Sequence, residues 1–278
     1  MKKFFFFAAT AVALTVACQK NEVADDVNPV AIQFNTNVAT VVTKGAGQIE
    51  DLTEASALYV YCLNTTRPTQ QTQKNVEATV NANKEVVFAG GATYFYAGTY
   101  DKYEFYGYYV DDAATGTPDA DTYKLDVTID GTQDILYATT DPRKDIEGNA
   151  VVTDAKLDRV YSAWSARNGV KPQLVFDHAL TQFKFKVQNS GSQKLTLKAI
   201  QVTSPKEGVF TVAGAEQGLV VKAGAEAKAL NLVSTTLTNG LELDGHSAVT
   251  SVDGEIMVYA GQENKVMLTL WQIGRAHV

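Results

Sequence analysis

The sequence predicts an all-β protein built as two antiparallel β-sandwiches in tandem. Three observations carry that reading. Short runs rich in Val, Ile, Tyr, Phe and Thr recur along most of the chain, and such residues suit a pleated, half-buried surface. Gly, Asp, Asn and Pro clusters punctuate them about every 8–12 residues, the spacing of sandwich strands. The strand pattern restarts near Pro172 after a stretch without it, so the break falls between residues 171 and 172.

The chain has 278 residues and a net charge of −7. That length can hold two cores, and the acidic balance argues against nucleic acid as a partner. Residues 1–17 read as a signal peptide. MKK is a short positive start, and FFFFAATAVALTV is an apolar run too short for a comfortable membrane span. Ala17 precedes Cys18 at its end, as in a bacterial lipobox, although Thr15 stands where leucine is usual. Cys18 is therefore the expected lipidation site, and a plain secretory signal with an incidental cysteine is the alternative. Residues 18–29 (CQKNEVADDVNP) read as a flexible tether.

Residues 30–43 (VAIQFNTNVATVVT) alternate over an unusually long run. Val30, Ile32, Phe34, Val38 and Val42 fall on one face, and Gln33, Asn35, Asn37 and Thr43 on the other. Lys44 and Gly45 follow at once, with Ala46 and Gly47 behind them. A basic residue beside small, flexible ones suits a protease cleft. Residues 30–44 thus read either as a removable strand cut at Lys44–Gly45 or as a permanent one.

Further strands are expected in ALYVYCL, KEVVFAG, ATYFYAG, YEFYGYYV, YKLDVTI and DILYATT. Cys62 lies on an apolar strand face with Leu58 and Val60, which makes it a small buried hydrophobe. In residues 154–169, Leu157, Val160, Tyr161 and Trp164 recur at helical spacing, with Asp154 as a cap and Gly169 as a stop. The second block, 172–272, opens with LVFDHAL and TQFKFKVQN. There Phe183, Phe185 and Val187 alternate with Lys184, Lys186 and Gln188. KLTLKAIQVTS, GVFTVAG, GLVVKAG, AKALNLVS, EIMVYAG and NKVMLTLW continue it. Residues 273–278 (IGRAHV) are what a common sequencing-library adapter encodes in one frame. They are expected to be foreign to the natural chain, leaving the second sandwich incomplete.

No catalytic motif stands out, so an enzyme is not expected. There is no G-x-S-x-G, H-E-x-x-H, C-x-x-C or phosphate-binding glycine loop. His178 adjoins Asp177, but strand neighbours point to opposite faces and form no ready dyad. His246 sits in a turn, and His277 lies in the adapter-like tail. Asp126, Asp130 and Gly131 fail the calcium-loop pattern because Tyr137 stands where a bidentate Glu is needed. A loop-bound calcium near Asp119 and Asp121 is a minor alternative, and no metal or cofactor is expected. The tyrosines at 94, 96, 100, 103, 106, 108 and 109 could form a sugar-stacking platform, but strand propensity and core packing account for most of them.

Several of these stretches, in this order, resemble the fimbrillin family of Bacteroides-type bacteria, its Mfa-like branch in particular. They are CQKNE, AIQFNTNVATVVTKGAG, YEFYGYYV, DILYATT, LVFDHALTQFKFKV and EIMVYAGQENKVMLTLW. The resemblance implies two transthyretin-like sandwiches and export as an outer-membrane lipoprotein held by acylated Cys18. It also implies a surface trypsin-like protease that removes the first strand, and other fimbrillin subunits, of the same kind or at the tip or anchor, as partners. A neighbour's strand then fills the emptied groove and a fimbria grows. Lys44 stands where the family usually has arginine, so an arginine-only protease would not cut here. Refilling the groove left by residues 30–44 would recover about 10 kcal/mol of apolar burial. The competing expectation is a surface lipoprotein that binds glycans and never polymerises.

Overall fold

The computed structural model describes residues 28–38, 49, 51–54, 57–114 and 116–272. Cys18, Val42, Lys44, Gly45 and the 273–278 tail lie outside the described residues. The strands are β1 (Asn35–Val38), β2 (Leu58–Asn64), β3 (Gln73–Val80), β4 (Val86–Phe88), β5 (Tyr103–Val110), β6 (Lys124–Thr128), β7 (Ile135–Thr139) and β8 (Gln173–His178). They continue as β9 (Leu180–Val187), β10 (Leu195–Pro205), β11 (Glu207–Thr211), β12 (Gly218–Val221), β13 (Ala227–Asn231), β14 (Leu241–Leu243), β15 (Thr250–Tyr259) and β16 (Lys265–Gln272). The protein is all-β, with three short α-helices, α1 (Pro142–Asp145), α2 (Ala163–Arg167) and α3 (Thr235–Thr238), among the described residues.

Among those residues, seven strands form one sheet in the order β1-β8-β7-β5-β2-β3-β4. Its inner face carries the first core, including Val60, Cys62, Phe105, Leu136, Leu174 and Phe176. Gly107 sits in β5 because Phe176 crosses it: a methyl at that position would come 2.6 Å from the Phe176 Cζ. The outward tyrosines of β2 and β5, Tyr61, Tyr106 and Tyr108, form a second core with Leu125, Phe210 and Met257. Tyr108 stacks on Tyr59 at 5.2 Å and meets Phe210 edge-on at 5.9 Å. A third core lies between β10, β13 and β14 on one side and the β9–β15 pair on the other. There Phe183, Phe185 and Val187 face inward while Lys184 and Lys186 are exposed, as the alternation requires.

Three features differ from the sequence expectation. The hydrogen bonding does not respect a boundary at 171/172. β8 belongs to the first sheet, and β6 pairs with β11 from beyond the break. The sequence break marks the end of an insertion, Asp141–Lys171, inside the sheet order, because β7 and β8 are antiparallel neighbours. Second, β1 pairs with β8 in parallel, while Asn35 on its other edge bridges Glu85 in the antiparallel sense. Third, the helix expected over 154–168 is broken. A 3-10 segment covers Asp154–Arg159, and α2 begins afresh with a capping box on Ser162. The break sits at Tyr161, buried with a φ of 61°, whose hydroxyl donates to Asp145 at 2.6 Å. Gly169, with a φ of 85°, ends that helix as expected.

Candidate functional site

The candidate site is the slot filled by residues 30–38. Alternation sends every second side chain inward. Ile32, Phe34 and Val38 are 3%, 1% and 7% exposed, and half-buried Val30 packs on the same core. Gln33 and Asn37 are exposed. Phe34 is the anchor: its ring meets Phe105 edge-on at 4.8 Å and Phe88 at 6.2 Å. Thr36 continues the inward face, which the apolar pattern did not flag. Its hydroxyl finds the Lys84 carbonyl at 3.3 Å, satisfying a buried donor.

The segment is hydrogen-bonded along both edges. On one side it forms the parallel ladder with β8, and the Asn35 N–H donates to the Pro172 carbonyl at 3.0 Å. On the other, the Ile32 N–H donates to Tyr94 at 2.8 Å and the Thr36 N–H to Lys84 at 2.8 Å. The N–H groups of Val86 and Tyr96 donate back to the Phe34 and Val30 carbonyls at 3.3 and 3.0 Å. Asn35 bridges Glu85, just ahead of β4, and Ala31 bridges Phe95. β4 is the far edge of the seven-stranded sheet, so residues 30–38, which include its first strand β1, bond β8 on one side and reach β4 on the other, closing the sheet around the first core. These partners lie far away in sequence, and no local pattern announces them.

Residues 49 and 51–54 are tied to the same region. The Ile49 N–H donates to Asp134 at 2.9 Å, and the Asp51 carboxylate pairs with Lys84, whose carbonyl holds Thr36. The Lys84 ammonium and the Thr53 N–H and hydroxyl hold the Asp51 carboxyl down at about 2. Asp134 is fully buried and meets His178 Nδ1 at 3.0 Å. Sequence adjacency had drawn attention to Asp177, whereas the fold gives His178 a carboxylate on the neighbouring strand loop. This pair holds Ile49 through its N–H.

Asp119, the minor calcium candidate, accepts from the N–H groups of Asp121 and Thr122 and from the Thr122 hydroxyl, which caps a turn. Among the described residues no group of three or more His, Cys, Asp or Glu is placed to hold a metal ion. Of the crowded tyrosines, Tyr96, Tyr103, Tyr106, Tyr108 and Tyr109 are buried core, and only Tyr100 is a large exposed ring at 56%. Beside it, a cleft of about 380 Å³ opens between the start of β5, the end of β7 and the 3-10 segment.

Among the solved structures similar to this chain are three described as a "putative cell adhesion protein". The one from Bacteroides ovatus has 13% identity, covers 88% of this chain and 86% of its own, and has a TM-score of 0.52. Those from Bacteroides uniformis and Bacteroides thetaiotaomicron have 16% and 10% identity and TM-scores of 0.49 and 0.35. They cover 90% and 82% of this chain, and 86% and 87% of their own. The Bacteroides ovatus likeness shows a shared overall fold. No family model and no curated protein matches the chain.

Proposed function

We propose that this chain is a structural or tip subunit of a cell-surface fimbria that serves adhesion, assembled when a protease removes its first strand. The observation that carries the reading is the closure of the first sheet by residues 30–38. That segment buries Ile32, Phe34 and Val38, worth roughly 1.5–3 kcal/mol each, and it is bonded along both edges. Its loss would open a slot with two unpaired strand edges and an exposed core. An extended strand with the same apolar alternation restores both the ladders and the side chains, which is the physics of β-strand addition. The likeness to the Bacteroides ovatus structure, described as a putative cell adhesion protein, favours the adhesive role.

In this reading the chain is an outer-membrane lipoprotein at the cell surface. Cys18 carries the lipid, and the cut at Lys44–Gly45 frees the subunit from it. Labelled palmitate should enter the wild type and not Cys18→Ala; equal labelling would remove the anchor from the scheme. Assembly is tested in expressing cells by comparing wild type with Lys44→Ala. SDS-resistant ladders should appear only for the wild type. Ladders of equal strength from Lys44→Ala would overturn the processing step.

A further inference from the structure

We propose that the cleft beside Tyr100 is a binding site for a neutral oligosaccharide. It is about 380 Å³, within the size range of small-ligand sites. Its lining combines apolar wall with polar rim. Leu157 and the ring of Tyr106 supply the former, and Lys102, Glu104, Thr140 and Asp158 the latter. A pyranose presents the same mixture, an apolar C–H face bordered by hydroxyls that each donate and accept. Carboxylates accept from such hydroxyls with charge-assisted strength, and an ammonium donates to them.

The polar groups are available for that work. Glu104, Asp158 and Lys102 are all exposed. The Tyr106 hydroxyl donates to Glu104 Oε2 at 2.9 Å, which orients the carboxylate without using its other oxygen. One wall is the 3-10 segment that replaced the expected helix. Tyr161, held by Asp145, fixes its end, so this wall is built in rather than assembled on binding.

An aromatic shelf adjoins the rim. Arg159, the neighbour of Asp158, lies 5.2 Å from the Tyr100 ring centre, and Trp164 lies 6.5 Å from it. Exposed aromatic surface next to hydroxyl-binding carboxylates extends the site beyond one ring. Lys102 and Arg159, which lies 3.9 Å from Asp158, balance the two carboxylates, so a neutral sugar fits better than a sulfated or sialylated one.

The site is independent of strand exchange, and the test keeps the two apart by using the uncleaved full chain carrying Lys44→Ala. Titrate it by calorimetry with maltotetraose, cellotetraose, mannotetraose, N-acetyllactosamine and a heparin hexasaccharide. At least one neutral probe should bind with a Kd of about 1 mM or tighter. Glu104→Ala and Asp158→Ala should each weaken it about tenfold or more, with no loss of thermal stability for exposed Asp158 and only a small one for Glu104→Ala, which takes the acceptor from the Tyr106 hydroxyl. Tyr100→Ala should also weaken it. Failure of every neutral probe would overturn the proposal, as would unchanged affinity in the two carboxylate variants. Binding of heparin alone would do the same, assigning the surface to Lys156 and Arg159 instead.

Discussion

At the scale of single residues, the strongest commitments sit on the closing strand. Phe34 has no alternative partner for the space between Phe88 and Phe105, so Phe34→Ala should cost about 3–5 kcal/mol, measurable by urea denaturation of the uncleaved chain. Cys62 is fully buried, and burial pushes its thiol well above the usual range. It should stay unmodified by iodoacetamide in the native protein and become alkylated only in denaturant; rapid native labelling, read by mass spectrometry, would contradict this core. Asp51 sets a pH dependence. Its folded value of about 2 lies below the ordinary 3.8, so the stabilisation is present above pH 4 and is lost as pH falls toward 2. Both partners of the Asp51–Lys84 pair are over a third exposed, which limits it to at most about 1 kcal/mol. Asp51→Asn should therefore be slightly less stable than wild type at pH 7, with the gap closing on acidification.

At the scale of elements, the sequence was most readable where side chains alternate. The inward set Val30, Ile32, Phe34 and Val38 follows from period two alone, as does the Phe183–Val187 face of β9. Cys62 was readable for the same reason. Thr36 was missed because its burial depends on a carbonyl, that of Lys84, which lies 48 residues away. The 154–168 segment misled because Leu157, Val160, Tyr161 and Trp164 do all face inward, but on two short pieces joined at Tyr161. Helical spacing cannot reveal a positive φ that a buried Tyr–Asp hydrogen bond sustains. The insertion is a rigid element in consequence. Tyr161→Phe should leave the fold intact but loosen this wall, raising hydrogen exchange in residues 154–165 above wild type; unchanged exchange would show that the Asp145 bond does not hold it.

At the scale of the molecule, composition and turn spacing were enough for the all-β class, and not for the sheet order. Strand partners are non-local, so nothing in the sequence shows that β8 belongs to the first sheet or that β6 joins β11 across the 171/172 break. The tyrosines of β2 and β5 make that junction, which is why aromatic crowding reflects packing between sheets and leaves only Tyr100 outside. The closing strand gives the molecule its central property: one short segment completes both edges of a sheet and covers its core. The direct test is mild trypsin on the folded full-length protein, with identification of each new N-terminus and of oligomers over time. Lys74, Arg143 and Arg159 lie in β3, α1 and the 3-10 segment, where ladder or helical hydrogen bonds hold the backbone out of a protease cleft. The account predicts that Gly45 appears first, that residues up to Lys44 leave the folded body, and that SDS-resistant oligomers form only afterwards. Digestion at those other sites before any Gly45 terminus appears, or oligomers without the cut, would contradict it.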